Sequence, residues 1–497
     1  MTLAPLWFDG RALATGPDRW RQLANVEFTS PVGIVLPNSF WFSPDHHPEF
    51  AEAVQAGKFE IIAGSLTGAA LPLIPRRDRL GQLEAFAETC SAKLGVSPKA
   101  AWLPESGWEP DFPQLLAQSG YRYLWVSPEI ARGFGSVGPC LSSDEESTVT
   151  ILPYRRLEPT LELYGISLAS YGLDSAIPEN LPLHFGPCLL PSGEVGTLRN
   201  SVLSSGEIYD LWAKMLYSSL ELESARRPPP LAYEFLYRAQ ANQAYSGDPW
   251  ALRSAWRDLI QAENASEPRK YSWIEWDQKD LEPDGKPELV AESHTLSAYF
   301  RPGLGGSLAG LDVRRVSWPL LLTSGNKRNL LDFWSSAEPD LPPAHQLQDK
   351  PYNASRYADR VTLSYTGDLA GHLVEIRKVF QILHRREAIA IEWSLTNRDS
   401  AALGGSGGFS LYFPLPAPES WPQSSLDLSQ PQRWAGPAQI EFYFAELELK
   451  IRARLETRTS TIYHLPGPDG FSWHIWRALD MLPGRTRRIS LEIGVTP

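Results

Sequence analysis

The spacing of apolar residues changes near residue 205, and this change limits the folds open to the chain. Before it, short apolar runs alternate with segments whose apolar residues recur every three or four positions, as in FEIIAG and then DRLGQLEAFAETCSAKLG. From about residue 268 the spacing becomes two, as in RVTLSYTG and EAIAIEWSLTN. The first pattern is typical of α/β folds and the second of all-β folds, so we expect both in one chain.

The first part is predicted to be a barrel-like parallel sheet. Strands are predicted at 59–64, 99–104, 121–126, 148–154 and 181–185, and helices at 78–95 and 112–120, with Asp78 as the cap of the first helix. Right-handed crossovers bring the carboxyl ends of such strands to one edge, and in barrels that edge builds the active site. Glu105, in the stretch AWLPESGWEP, directly follows one of these strands.

Three amphipathic helical segments separate the two patterns, with a break at RPPP, residues 227–230. After them, many short strands separated by turns indicate an antiparallel β-sandwich. We therefore predict a barrel domain at 1–204, a helical connector at 205–267 and a β-sandwich at 268–497.

Composition excludes several classes of protein. No apolar run of about 18 residues is present, so membrane insertion is not expected. A net charge of −12 without clustered Lys and Arg argues against a nucleic-acid partner. Cys90, Cys140 and Cys188 are widely spaced and odd in number, which indicates free thiols. With no visible secretory signal, a cytoplasmic location is predicted, and no spacing typical of a metal site or a cofactor is seen.

One long run, from Leu71 to Val126, resembles the nucleophile region of glycoside hydrolase family 57, whose members include 4-α-glucanotransferases and α-amylases. The matching residues are Asp78, Arg79, Trp102, Leu103, Glu105, Trp108 and Pro110. The stretch FLYRAQANQAYSGDPWALRSAWRDLIQAEN is similar to the family's arginine-alanine-glutamine helix, and FRPGLGGSLAGLDV and EAIAIEWSLTN resemble the C-terminal β-domain of the glucanotransferase branch.

The resemblance implies an incomplete (β/α)7-type barrel, a helical connector and a C-terminal antiparallel β-sandwich. It implies a retaining mechanism with Glu105 as the nucleophile, and an α-glucan or maltooligosaccharide as the ligand. No cofactor is implied, and the oligomeric state is left open. The residues expected to contact substrate are Trp102, Trp108, Arg238 and Asn242.

The acid/base half of the mechanism departs from the family pattern. The family places an aspartate in a stretch of the form aspartate-aspartate-glycine-glutamate, whose best counterpart here is LLPSGEVG. Pro191 and Ser192 occupy the aspartate positions, and a serine hydroxyl is too weak an acid to protonate a leaving sugar near neutral pH. Glu194, in the same stretch, is a candidate replacement acid.

Other family residues are also missing. The interval between LLPSGEVG and the arginine-alanine-glutamine helix is short, which implies that a late barrel strand is absent. An arginine, an acidic residue of a glycine-rich turn and an aspartate pair are replaced by Ser106, Gly68 and Ser127-Pro128 respectively.

Three functions remain open on the sequence. The favoured one is a family-57-like protein that has lost hydrolysis and binds an α-glucan or acts as a scaffold. The second is an active retaining glucanotransferase or amylase that uses Glu105 and another acid such as Glu194. The third is a protein-interaction module without a sugar site.

Overall fold

The computed structural model describes most of the chain, in two compact units. The described residues are 6–9, 17–37, 40–41, 47–102, 109, 111–133, 138–143, 148–163, 166–173, 183–185, 202, 204–266, 273–280, 285–325, 328–337, 339, 343, 347–383, 387–415, 423–424 and 427–496. One unit contains residues 1–202 and 240–246, and the other contains 203–239 and 247–497. The predicted boundaries at 204 and 267 stay a prediction.

The first unit, called the barrel unit below, alternates strands and helices over most of its length. Its strands are β1 Leu6–Asp9, β2 Val32–Val35, β3 Phe59–Ala63, β4 Ala100–Trp102, β5 Tyr123–Val126, β6 Cys140–Ser143, β7 Thr148–Leu163, β8 Ile166–Leu173 and β9 Leu183–Phe185. Its helices are α1 Pro17–Asn25, α2 Pro48–Gln55, α3 Arg76–Leu94, α4 Phe112–Gln118 and α5 Pro128–Gly133.

Strand pairing in this unit runs around a ring. Strands β1 to β5 pair in parallel with their sequence neighbours, and β5 pairs in parallel with the first part of β7. The second part of β7 pairs antiparallel with β8, and β8 pairs antiparallel with β1, which closes the ring. The α/β alternation thus stops at β7 and an antiparallel strand fills the last place. This arrangement confirms the predicted incomplete (β/α)7-type barrel.

Helix α3 has the predicted apolar spacing but a different start. Leu83, Phe86 and Cys90 are buried on one face, and the helix ends at Gly95, whose φ of +71° is a left-handed conformation that favours glycine. The prediction that Asp78 caps this helix is wrong, because the N-cap residue is Pro75 and Asp78 lies inside the first turn of the helix. The Asp78 carboxylate is directed to other partners, which are described below.

The second unit, called the sandwich unit, begins with three helices and continues as strands. The helices are α6 Gly206–Ser224, α7 Pro230–Ala239 and α8 Pro249–Ser266. The strands are β10 Ile274–Lys279, β11 Glu288–Ser293, β12 Leu296–Arg301, β13 Ser307–Val313, β14 Trp318–Leu322, β15 Asp332–Ser335, β16 Asn353–Arg356, β17 Arg360–Leu369, β18 His372–Leu383, β19 Ala388–Asn397, β20 Ser406–Pro414, β21 Gln423–Ser424, β22 Gln432–Ala435, β23 Ala438–Phe444, β24 Leu449–Leu455, β25 Ser460–Gly467, β26 Gly470–Ala478 and β27 Thr486–Thr496.

These strands form three sheets with the orders β10-β11-β12-β13-β14, β15-β20-β26-β25-β22 and β16-β17-β18-β19-β27-β24-β23-β21. Strand β24 buries every second residue, and its Ile451 shares one apolar core with Phe413 of β20 and Trp473 of β26. The second and third sheets therefore face each other across this core, which confirms the predicted antiparallel sandwich. Within the described part of 355–400 the chain forms strands and turns and no helix.

A buried ionic cluster holds helices α6 and α8 to the first of these sheets. The Lys214 ammonium lies 2.9 Å from a Glu263 carboxylate oxygen and 2.9 Å from one of Asp312, and it also donates to the hydroxyl of Tyr299. The Trp256 indole donates to the other Asp312 oxygen at 2.7 Å. Three buried charges are thus paired within one cluster, which fixes where the helices pack.

Candidate active site

Strand β4 leads into the predicted nucleophile loop. Its last residue, Trp102, is 9% exposed and lies opposite Trp125 of β5. The Trp102 indole donates to the Tyr154 hydroxyl at 3.4 Å, and the Tyr154 ring contacts Tyr171 edge-on, with centroids 5.4 Å apart. Aromatic side chains from β4, β5, β7 and β8 therefore cluster within the barrel unit. Glu105 follows Trp102 by three residues, and Glu105 and Trp108 lie outside the described residues.

The loop after β3 is held by backbone contacts from the segment 240–242. The Ala70 amide donates to the Gln240 carbonyl, and the Asn242 amide donates to the Gly68 carbonyl, both at 2.9 Å. Gly68 has a φ of +67°, a conformation that an aspartate or glutamate adopts only with strain. Gly68 is where the family resemblance expects an acidic residue, so this turn supplies no carboxylate here.

A buried polar network lies beneath that loop and links three separate segments. The Gln240 amide nitrogen donates to the Asp78 carboxylate at 2.6 Å, and the Gln82 amide nitrogen donates to the Gln240 amide oxygen at 3.1 Å. Gln82 also exchanges hydrogen bonds with the Thr67 side chain and backbone amide. Arg77 pairs with the other Asp78 oxygen at 2.9 Å. Asp78 is 1% exposed, so its carboxylate supports the loop and is not open to a sugar.

Arg79, the other matching residue in this part of α3, joins α3 to α4. Its guanidinium donates to the Ile74 carbonyl at 3.0 Å and to the Asp111 carboxylate at 3.2 Å, and it lies over the Phe112 ring at 5.6 Å. Arg79 is 8% exposed. The Asp-Arg pair of the motif is therefore a scaffold for the strand ends and does not itself reach into solvent.

The end of β5 carries a helix cap in place of the expected aspartate pair. Ser127 is buried, and its hydroxyl accepts a hydrogen bond from the Ile130 amide at 3.4 Å. Pro128 is the first residue of α5. Serine at the cap followed by proline in the first turn is a common helix start, because the hydroxyl satisfies an amide and proline has none to lose. A helix therefore starts at this edge of the sheet, where the family resemblance expects an aspartate pair.

The remaining predicted contacts fall in different units. Arg238, in the last turn of α7, belongs to the sandwich unit and pairs with Asp258 at 2.9 Å. Burial raises the pKa of Asp258 to about 6, and the Arg238 guanidinium partly opposes that rise. Asn242 belongs to the barrel unit, is exposed, and begins a short 3-10 helix. Glu194 lies outside the described residues, as do Pro191 and Ser192. The substrate contacts all stay predictions.

Sequence reasoning missed Thr67 and Gln82, and it placed Gln240 in the arginine-alanine-glutamine stretch without giving it a role; all three residues are buried and polar. Gln82 follows Asp78 by one helical turn and precedes the buried Leu83. Asp78 and Gln82 are thus two polar residues on a helix face that borders the core. Because buried polar groups require hydrogen-bond partners, this pair could have indicated a buried polar network.

Neither a metal site nor a membrane span is found in the described part of the chain. No group of three or more His, Cys, Asp or Glu residues there is arranged to hold a metal ion. None of the helices in the same ranges is both long and apolar enough to cross a membrane. Cys90 and Cys140 are buried, and burial raises the pKa of Cys90 to about 12.

Comparisons with known proteins identify a family and several relatives that this chain resembles. The family model for glycosyl hydrolase family 57 matches residues 25–159. The α-amylase of Pyrococcus abyssi is 31% identical to this chain over 375 residues. The 4-α-glucanotransferase of Thermococcus kodakarensis is 22% identical over 375 residues. Each match covers 55% of this chain and 56% of the relative. The chain thus spans little more than half the length of either curated relative.

The crystal structure of 4-α-glucanotransferase from Thermococcus litoralis superposes with a TM-score of 0.71 at 14% identity, over 97% of this chain and 94% of that one. This match shows that the barrel and sandwich follow the same fold. The family match over residues 25–159 includes β4, Trp102 and the Asp78 motif. Over residues 25–159 the chain is similar to glycosyl hydrolase family 57, and its fold is that of the 4-α-glucanotransferase structure.

Proposed function

We propose that this chain is an α-glucan-binding member of family 57 that has lost most or all of the sugar-transfer chemistry. The matched relatives are named 4-α-glucanotransferase and α-amylase, which suggests an α-glucan as the ligand here. The fold that would carry such a ligand is retained, whereas one half of the catalytic pair is not present in the sequence. The proposal therefore separates binding from catalysis.

The observation that carries the proposal is the replacement of the acid/base aspartates by Pro191 and Ser192. A retaining glycosidase needs two carboxyl groups about 5–5.5 Å apart, one to attack the anomeric carbon and one to protonate the leaving oxygen. Glu105 can supply the first. Without the second, the leaving sugar would depart as an unprotonated alkoxide, which removes the roughly 10²–10⁴-fold contribution of general acid catalysis.

The surroundings of the strand ends support the same conclusion. The turn after β3 has Gly68 where the family has an acid, and the turn after β5 has a buried serine cap at Ser127. The buried carboxylate of Asp78 is already bound by Gln240 and Arg77. None of these three positions in the described ranges offers an open carboxylate to replace the missing aspartate.

The alternative is an active retaining enzyme in which Glu194 acts as the acid. The observation in its favour is that LLPSGEVG keeps the glycine and the glutamate of the family stretch. This alternative predicts the same ligand but a different outcome in an activity assay, because a working acid and base would rearrange maltooligosaccharides.

Binding is tested by native gel electrophoresis through glycogen. The full chain should be retarded by glycogen, and Trp108→Ala should run faster than the unaltered chain because it loses a predicted aromatic contact with the sugar. Tyr357→Ala is the control, since Tyr357 is an aromatic residue of the sandwich unit that is 59% exposed and has no predicted role. If glycogen does not retard the unaltered chain, the binding proposal is wrong.

A further inference from the structure

The sandwich unit contains a cavity whose lining includes none of the residues predicted to act on or contact a substrate. Its volume is about 470 Å³, within the range of about 300–1,000 Å³ that small-molecule sites occupy. Its wall is built from the start of α6, one turn of α8, the chain after β14, the end of β20 and the turn between β25 and β26. Five elements far apart in sequence thus converge on one concave site.

Arg253 of α8 lines this cavity with an incompletely satisfied guanidinium. Arg253 is 5% exposed and stacks over the Trp250 ring at 4.5 Å. One terminal nitrogen donates to the Leu415 carbonyl at 3.2 Å. The Arg253 Nε is buried and has no hydrogen-bond partner among the residues that the structure describes. A guanidinium carries five N–H donors, so Arg253 can donate to a ligand oxygen from the part of its side chain that lines the cavity.

Two carboxylates face the same cavity. Glu207, in the first turn of α6, accepts a hydrogen bond from the Gly325 amide at 3.0 Å through one of its two oxygens. Asp469 lies in the β25–β26 turn and is partly exposed. Burial raises the pKa of Glu207, although the Gly325 hydrogen bond and the nearby Arg253 lower it. The cavity therefore offers both strong acceptors and a strong donor.

Apolar side chains form another part of the wall. Phe413 and Phe471 stack face to face with centroids 4.8 Å apart and an interplanar angle of 13°. Leu322, Pro414 and Pro466 complete the apolar surface. An apolar surface of this kind can contact the C–H faces of a ring. Sites for small molecules usually combine such a surface with a few polar groups that orient the ligand.

The charges select the class of ligand. Glu207 and Asp469 repel an anion, and the nearby Arg253 guanidinium offsets part of their attraction for a cation. A hydroxyl group can donate to a carboxylate and accept from a guanidinium, so a neutral polyhydroxylated ring uses all three groups. We propose that this cavity binds a neutral saccharide, as a second site for an α-glucan chain. The hydroxyl chemistry follows from the cavity, while the choice of an α-glucan rests on the proposed function.

The test is a calorimetric titration of the full chain with maltotriose. Asp469→Asn and Arg253→Lys should each weaken binding at least about tenfold. Asp469→Asn removes the charge of an acceptor, and Arg253→Lys keeps the positive charge but removes the planar set of guanidinium donors. Asp480→Asn is the matched control, since Asp480 is exposed, does not line the cavity, and changes charge by the same amount. Equal affinities in Asp469→Asn and Asp480→Asn would overturn the proposal. Asp469→Asn is decisive if Arg253→Lys does not fold, because the Asp469 side chain is at a partly exposed turn.

A barrel variant distinguishes this inference from the proposed function. If Trp108→Ala abolishes maltotriose binding and Asp469→Asn does not, the cavity proposal is wrong and the barrel proposal stands. If Asp469→Asn abolishes binding and Trp108→Ala does not, the cavity proposal stands and the barrel no longer accounts for binding. A loss of part of the total heat in each variant supports two sites.

Discussion

Gln240→Met tests whether the buried network beneath the β3 loop stabilises the barrel unit. Methionine keeps the side-chain volume but removes the 2.6 Å hydrogen bond to the Asp78 carboxylate and the 3.1 Å hydrogen bond from Gln82. The first is worth about 1.5–3 kcal/mol because one partner is charged, and the second is worth about 0.5–1.5 kcal/mol. We therefore expect a loss of about 3 kcal/mol. In a unit of about 200 residues that loss lowers the unfolding midpoint by about 6–12 °C.

The assay is differential scanning calorimetry combined with hydrogen exchange of peptides that cover residues 65–70. Gln243→Met is the matched control, because it makes the same change three residues away at an exposed side chain. We expect the control to leave the midpoint within about 1 °C, since exposed substitutions away from special features usually change stability by less than about 0.5 kcal/mol. If Gln240→Met and Gln243→Met have the same midpoint and the same exchange rates, the network does not stabilise this loop.

Two further predictions concern charges buried in the sandwich unit. Lys214→Met leaves the carboxylates of Glu263 and Asp312 buried without their cation. It should lower the free energy of unfolding, measured by urea titration, by about 3–5 kcal/mol. An unchanged free energy of unfolding would refute the stabilising role of this cluster. Burial raises the pKa of Asp258 to about 6 against the opposing effect of Arg238, so the folded chain holds this proton more tightly than the unfolded chain. The contribution of Asp258 to the free energy of unfolding should therefore decline by up to about 3 kcal/mol as pH rises from 4 to 6, and it should stay constant above pH 6. Asp258→Asn should remove this pH dependence from free energies of unfolding measured between pH 4 and 7.

Much of the fold could be predicted because local spacing determines it. The period-two pattern of EAIAIEWSLTN became β19, and the helical spacing from Leu83 to Leu94 became α3. Strand β8 was not predicted, although it closes the barrel. Its sequence, ISLASYGL, alternates only weakly, and its place is fixed by pairing with β1, which lies far away in the chain. Long-range pairing of this kind leaves little trace in local periodicity.

The candidate site was harder to predict for the same reason. Asp78 looked like a helix cap from its local sequence, but its partner, Gln240, is 162 residues away. Ser127 was recognised as a replaced aspartate, but its role as a cap depends on the start of α5. The cavity around Arg253 and Asp469 joins a helix to a hairpin turn, and no spacing in the sequence predicts their meeting. Residue types in the sequence indicated which side chains could act on a sugar. The folded chain determines which of those side chains are already bound by residues distant in sequence.

The proposed loss of catalysis is tested most directly by incubating the purified chain with maltoheptaose and resolving the products by length. We expect the length distribution to stay that of a protein-free sample, and Glu105→Gln to give the same result. Appearance of shorter and longer maltooligosaccharides with the unaltered chain, abolished by Glu105→Gln, would contradict it, because that result requires a second acid facing Glu105.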